Sequence, residues 1–257
     1  LIQKEIARNI ISGKTEPVRP YQFLAKIYDC DWGDYILDYL PLLKWLNQNY
    51  PLNGKAVLDA ACGTGNLSLI LTTMGAQVTG FDLAPEMLEF ARSKCNPELS
   101  KFIVQDMRTF DLGAARFDYI FNTFDSINYL LEPEELSAFF SRVHNALRPD
   151  GIFVFDINTI HAFGYQHLGT YPRKIDGVDF IQKHEFEPEK CIEKTYFIFK
   201  EGIELHCQRG YSKSLIDNLL VTTKFQIEPC FHAFKLIPAD ENTERLIYLV
   251  QKSADPK

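Results

Sequence analysis

A mostly parallel α/β sheet, covered by helices on both faces and carrying an added antiparallel sheet, is the fold this sequence predicts. Three observations carry that prediction. From about residue 55 to 160, short apolar runs alternate with segments of helical period, the pattern of strands buried between two helical layers. The first run, Ala56 to Ala60, enters a Gly63-x-Gly65 turn just ahead of a helical segment. From about 164 to 211 the pattern changes to consecutive strand-like runs with short polar breaks, which implies hairpins.

Taken in order, LIQKEIARNIISGKT reads as an amphipathic helix and not as a signal peptide, because Lys4, Glu5 and Arg8 interrupt its apolar residues. A helical prelude follows, striped by Tyr35, Ile36, Tyr39, Leu40, Leu43 and Leu46, with Pro41 placed to bend or divide it. After Ala56–Ala60, the expected strands are Gln77 to Asp82, Phe102 to Asp106, Phe117 to Thr123 and Gly151 to Asn158. Pro85 opens a helix whose inward face holds Met87, Leu88, Ala91 and Cys95. Pro133 opens another with Leu136, Phe139, Phe140, Val143 and Leu147 inward, and Pro149 ends it. Val178–Ile181, Ile192–Phe199 and Ile203–Gln208 form the added sheet. Residues 212 to 223 return to helix, and Phe225 to Phe234 and Leu246 to Gln251 close the chain as strands.

Composition narrows the function. The 257 residues include 20 Phe and 12 Tyr, too much apolar matter for a solvated chain. A net charge of -7 favours solubility and argues against wrapping a polyphosphate backbone. No run reaches the roughly 20 apolar residues of a membrane span. Six cysteines lie scattered without paired short spacing, which argues against a zinc knot or a disulfide framework and for a reducing cytoplasm. The histidines show no metal-ligand spacing, so no metal is expected.

The densest chemical signal is VLDAACGTGNLS, Val57 to Ser68. Its glycines let backbone approach a ligand where a side chain would collide. Asp82 ends the next strand, 17 residues beyond Gly65, where an acid suits two ribose hydroxyls. The third glycine of a dinucleotide fingerprint is replaced by Ser68, and no Gly-Lys-Ser/Thr phosphate loop is present.

VLDAACGTG followed by GFDLAPEMLEFAR resembles the class I S-adenosylmethionine-dependent methyltransferases, in the branch acting on small molecules. The likeness continues through Gln105-Asp106-Met107, Phe117-Asp118-Tyr119-Ile120, Leu147 to Gly151 and Phe155 to Asn158. It implies a Rossmann-like seven-stranded sheet in the order 3-2-1-4-5-7-6, the last strand antiparallel. Residues 51–163 and 212–257 would then bind S-adenosylmethionine, releasing S-adenosylhomocysteine as product. Residues 1–50 would form a helical lid, and 164–211 an antiparallel sheet inserted after strand 5 on the substrate side. Carried over by position, Asp59, Ala61 and Gly63 hold the methionine end, Gly65 gives close approach and Asp82 takes the ribose. Leu83 or Met87 packs on adenine, Asp106 and Met107 meet its edge, and Asn122 ends strand 4 beside the cofactor.

At the reacting end, Tyr21 to Asp29 resembles the segment with which small-molecule members close over the cofactor. Tyr28 is the aromatic expected beside the sulfonium, and Arg19 is a candidate for the cofactor carboxylate. Asp125 reads either as a strand-end cap or as the group that orients a substrate amine. Asn122-Thr123-Phe124-Asp125 departs from the Asn/Asp-Pro-Pro-Tyr/Phe of DNA adenine methyltransferases. Tyr129, His161, Glu185, Arg209 and Tyr211 are the expected acceptor contacts, and His167 falls nearby. With no histidine base identified, the reading tilts to an amine nitrogen attacked in line. An oxygen acceptor, a protein acceptor and a non-catalytic S-adenosylmethionine-binding module are the alternatives. The added sheet has aromatic residues on both sides, suiting it to wall the acceptor pocket or to form a homodimer.

Overall fold

The structure is a computed structural model that describes residues 17–164, 168–233, 235 and 237–252. The amphipathic segment expected over 1–15, His167, and Phe234 at the end of an expected strand lie outside the described residues. In chain order come β1 (Pro17–Val18), the helix Ala25–Trp32, a 3-10 segment Gly33–Tyr39 and the helix Leu40–Asn49. Then follow β2 (Ala56–Ala60), the helix Asn66–Thr73, β3 (Gln77–Asp82), the helix Pro85–Lys94, β4 (Ser100–Val104) and β5 (Phe117–Asn122). A 3-10 turn Ser126–Tyr129, the helix Pro133–Ala146 and β6 (Leu147–Asn158) complete the first half of the sheet. The insertion supplies β7 (Gly169–Ile175), β8 (Val178–Glu187), β9 (Ile192–Ile198) and β10 (Ile203–Arg209). The helix Lys213–Thr222, β11 (Phe225–His232) and β12 (Arg245–Lys252) return to the main sheet.

The main sheet runs β11-β12-β6-β5-β2-β3-β4. In the sheet's own strand numbers this is 3-2-1-4-5-7-6 read from the β4 edge, and β12 is antiparallel to both neighbours. Alternation along each strand divides the core between two faces. Phe153 and Phe155 point to one face with Leu58, Phe139 and Phe140, while Ile152 and Val154 point to the other with Val57, Leu43 and Leu46. Phe153 and Phe155 stack at 4.7 Å, and Phe155 stacks on Tyr248 at 5.0 Å. Burying each such ring contributes roughly 1.5–3 kcal/mol. Pro41 sits in the first turn of Leu40–Asn49 and separates it from the 3-10 segment, so the prelude is divided as its sequence implies. Tyr35 does not join the buried stripe; it is exposed.

The inserted sheet has five strands in the order β1-β10-β9-β8-β7. Two of them were not read from sequence. β7, GTYPRKI, carries Pro172 and mostly exposed residues because it is an edge strand, where the missing N–H is tolerated. It pairs with β8 across Asp176-Gly177, both at positive φ (47° and 80°), a tight hairpin turn. β1 arrives from the other end of the chain and pairs in parallel with β10. Phe180, Phe197 and Phe199 pack against Leu24 and Ile27, so one face of the insertion covers the helix Ala25–Trp32. Its β10 end reaches the segment after β5: Gln208 donates to Asp125, and Asn128 donates to the Arg209 carbonyl. The insertion and the prelude therefore meet over the carboxyl ends of the parallel strands. Among the described residues no helix is long and apolar enough to cross a membrane.

Candidate active site

The loop after β2 is built on left-handed backbone: Ala61 at φ 57°, Gly63 at 54° and Gly65 at 80°. At Gly65 a Cβ would lie 2.8 Å from the Ala91 Cβ, so glycine is required both for the conformation and for packing on Pro85–Lys94. Asp82 ties this loop to the next. Its Oδ2 accepts from the Gly63 N–H and its Oδ1 from the Ala84 N–H, both at 2.9 Å. Ser68, standing where a dinucleotide site has glycine, donates to Asp59 at 2.6 Å beneath the loop. The departure from the dinucleotide pattern thus has a physical reason: the hydroxyl satisfies a fully buried carboxylate.

Above these residues opens a cavity of about 380 Å³. Arg19, Tyr28, Asp59, Ala61, Gly63, Asp82, Leu83, Met87, Asp106, Met107 and Tyr129 line it, so most of the residues expected around the cofactor come together, with Tyr129 alone of the expected acceptor contacts. Gly65 and Asn122 do not line it. Gly65 shapes the turn from behind, and buried Asn122 donates to the Ala60 carbonyl, its Oδ1 lacking a hydrogen bond.

The cavity is electronegative at its centre. Burial pushes Asp59 up to about 7, against the hydrogen bond from Ser68 and with the charge of Asp82 adding. Burial also raises Asp82, although backbone N–H groups of Ala84 and Gly63 oppose it. The lining arginines are already committed: Arg19 pairs with Glu86 at 2.8 Å, and Arg108 with Glu135 at 2.8 Å and Asp106 at 3.4 Å. Buried Asp59 and half-buried Asp82 pair with no cation among the described residues, and so favour a ligand that brings one, such as a sulfonium and an ammonium. The same field disfavours a pyrophosphate. Leu83, Met87 and Met107 provide the apolar walls an adenine needs. The residues present therefore fit S-adenosylmethionine.

The lid is clasped to this floor through Asp29. It accepts from Thr64 Oγ1 at 2.6 Å, Asn66 Nδ2 at 3.0 Å and Lys94 Nζ at 2.6 Å. Despite the opposing effect of burial, the bonds from Lys94 and Thr64 hold its carboxyl below the usual range. The neighbouring Tyr28 stacks on Trp32 at 5.5 Å, meets Tyr21 edge-on at 5.9 Å and lines the cavity.

Several expected acceptor contacts are engaged elsewhere. Asp125, at φ 47° beside Phe124 at 59°, pairs with Arg245 at 2.9 Å and accepts from Gln208 at 2.5 Å. Phe124 and Ser126 line the cavity and Asp125 between them does not. Arg209 donates to the Leu131 carbonyl and pairs with Glu132, and buried Tyr211 donates to the Leu130 carbonyl. These two fasten the insertion to the segment after β5. Glu185 pairs with Lys183 and accepts from Tyr196 within the inserted sheet, and His161 is exposed beyond β6.

In their place the fold brings up residues that sequence reading passed over. Tyr21 donates or accepts at 2.7 Å with Tyr129, whose hydroxyl lies 2.8 Å from Nδ1 of His206. Glu204 is fully buried and accepts from the backbone N–H groups of Tyr21, Phe23 and Leu24. Tyr21 lies in the segment whose family likeness was read, but Glu204 and His206 had no such motif around them.

A methyltransferase domain model matches residues 57–151. The methyltransferase-family protein GWCH70_2453 of Geobacillus sp. (strain WCH70) is 34% identical over 240 residues, covering 86% of this chain and 97% of that protein. The methyltransferase-family protein YqeM of Bacillus subtilis is 29% identical over 248 residues, covering 91% and 97%. An S-adenosylmethionine-dependent methyltransferase from Clostridium acetobutylicum is similar in structure, with a TM-score of 0.76, 25% identity, and coverage of 91% of this chain and 99% of that one. Shorter matches, each over 48% of this chain at 31% and 33% identity, are malonyl-[acyl-carrier protein] O-methyltransferase of Serratia marcescens and magnesium-protoporphyrin O-methyltransferase of Rhodobacter capsulatus.

Proposed function

This chain belongs to the class I S-adenosylmethionine-dependent methyltransferases, in the small-molecule branch, and from that premise we propose that it methylates an oxygen of its acceptor. Bound S-adenosylmethionine supplies an electrophilic methyl on a positively charged sulfur. The chain's own residues hold that charge near Asp59, Asp82 and Tyr28, exclude water under the clasped lid, and present the acceptor to the methyl.

One observation carries the oxygen reading. Asp125, the carboxylate that would have oriented an amine, is committed to Arg245 and Gln208. Hydroxyl-bearing residues, Tyr21, Tyr28, Thr64, Thr123, Ser126 and Tyr129, are instead among those lining the cavity beside it. The two shorter relatives are O-methyltransferases by name, which supports the same choice for this chain. The six free cysteines support a reducing compartment, in keeping with the cytoplasmic expectation.

The test is methyl transfer from S-adenosylmethionine to catechol, 4-hydroxybenzoate, malonate and benzylamine, followed by locating the new methyl by mass spectrometry and NMR. O-methyl products are expected. Transfer confined to benzylamine overturns the oxygen reading.

A further inference from the structure

Behind the hydroxyl-lined wall stands a connected set of side chains drawn from three parts of the chain. Tyr21 comes from the lid, Tyr129 from the turn after β5, and Glu204 and His206 from one face of β10. Tyr21 Oη lies 2.7 Å from Tyr129 Oη, Tyr129 Oη 2.8 Å from His206 Nδ1, and His206 Nε2 3.3 Å from Glu204 Oε2. Both tyrosines line the cavity, whereas His206 and Glu204 are buried behind them.

We propose that Tyr129, His206 and Glu204 form a proton relay that takes the proton of the acceptor hydroxyl during methyl transfer. This rests on the oxygen reading above. The direction of the chain follows from what each group can do. Glu204 already accepts from three backbone N–H groups, the role of a carboxylate, so Nε2 of the imidazole carries hydrogen towards it and Nδ1 is left as an acceptor. Nδ1 therefore receives the Tyr129 O–H. The oxygen of Tyr129 keeps lone pairs for Tyr21 and for a hydroxyl in the cavity.

In the step, an acceptor oxygen lone pair forms the new C–O bond while the C–S bond breaks and its electron pair stays on sulfur. The acceptor proton passes to Tyr129 Oη as the Tyr129 proton passes to His206 Nδ1. The resulting imidazolium lies against Glu204, and the proton returns to solvent after product leaves. Tyr129 carries the proton without storing it, because burial holds its phenol well above the ordinary value, as it does for Tyr21.

The groups facing this relay are few. His206 meets the Tyr21 ring edge-on at 4.7 Å and the Phe197 ring of β9 at 5.0 Å, with Glu204 on its own strand. Tyr129 also faces the charges of Asp125, which is paired with Arg245, and of Asp82, together with the phenol of Tyr28. Tyr129 is the catalytic residue here, and His206 and Glu204 act through it as positioning and proton-holding residues. Glu204 also anchors the lid loop, so its substitution would confound a test.

His206→Gln is the informative variant: its amide oxygen can accept from Tyr129 but cannot take up a proton. With catechol or 4-hydroxybenzoate, kcat is expected to fall about a hundredfold, while KM for S-adenosylmethionine stays within about twofold. The acid limb of the pH–kcat profile should disappear, and Tyr129→Phe should behave alike. Wild-type kcat and an unchanged pH profile in His206→Gln overturn the relay and leave the oxygen reading standing. Transfer confined to benzylamine overturns both. A second measurement needs neither acceptor nor variant: imidazole ¹⁵N NMR of the wild-type complex with S-adenosylhomocysteine. An unprotonated Nδ1 at about pH 8 is expected. A proton fixed on Nδ1 there overturns the relay, since no place remains for another.

Discussion

The two ends of the cavity are built in different ways. The proposed cofactor end comes mainly from one stretch, Asp59 to Met107, with Arg19 and Tyr28 added from the lid. The acceptor end proposed above joins Tyr21, Tyr129, Glu204 and His206 from three separate parts of the chain. The first is held by backbone: left-handed turns, and N–H groups of Gly63 and Ala84 on Asp82. The second is held by side chains meeting side chains. A site fixed by backbone tolerates little variation in sequence, whereas one assembled from side chains can be changed residue by residue while the fold stays. Such a division suits an enzyme class with one methyl donor and many acceptors.

The contrast can be tested by disturbing the backbone-held end. The largest expected effect belongs to Gly65→Ala, which adds a Cβ 2.8 Å from that of Ala91 at φ 80°. It should lower unfolding free energy by about 3 kcal/mol, read from urea denaturation. A loss below about 1 kcal/mol would mean that the loop gives way easily and the contrast is overdrawn. Next comes Asp82→Ala, which removes acceptors from two backbone N–H groups as well as any ribose contact. S-adenosylhomocysteine affinity should fall about a hundredfold, ~2.7 kcal/mol, by calorimetry; unchanged affinity in a folded variant would remove Asp82 from the site.

The smallest effect sharpens the electrostatic side. Asp59 is raised to about 7 in the folded chain from an ordinary value near 3.8, because burial opposes its charge. Its acid form is therefore the one folding favours. The associated stability is present below the unfolded value and is lost as pH rises from about 4 through about 7. Asp59→Asn has no charge to bury, so without cofactor it should be more stable than wild type by about 1 kcal/mol at about pH 8. The difference should shrink by about pH 5. Cofactor affinity moves oppositely: it should weaken in wild type as pH falls through about 7, and depend less on pH in the variant. Parallel pH profiles for the two proteins in thermal denaturation would show that Asp59 is not the buried charge.

How much could be read beforehand follows the same division. Short buried strands and the Gly63-x-Gly65 turn announce themselves by period and by residue type, and the sheet order came with the family likeness they support. Asp82 and Asp106 stand at or just beyond the carboxyl ends of β3 and β4, where such a sheet collects ligands, and Met87 stands in the first turn of the helix that follows β3. β7 was missed because Pro172 and its exposed charges imitate a loop, although Asp176-Gly177 ahead of Val178 is a hairpin signal in itself. Asp125 was singled out as a charged residue at the end of a strand, but its partner Arg245 lies 120 positions away and carries no motif. His206 and Glu204 looked like ordinary members of a strand. Only the tertiary pairing of β10 with the lid gives them neighbours, and no local pattern records that.

The pairing of β1 with β10 joins Pro17 to Ile203, and it sets an order of events during synthesis. At about 5–20 residues per second, roughly ten to forty seconds separate the emergence of these two strands. The helices and parallel strands between them depend on nearer contacts and can assemble within that interval. Until β10 is made, the N–H groups of Tyr21, Phe23 and Leu24 lack the carboxylate of Glu204 that gathers them, so the lid loop waits on a residue made long after it.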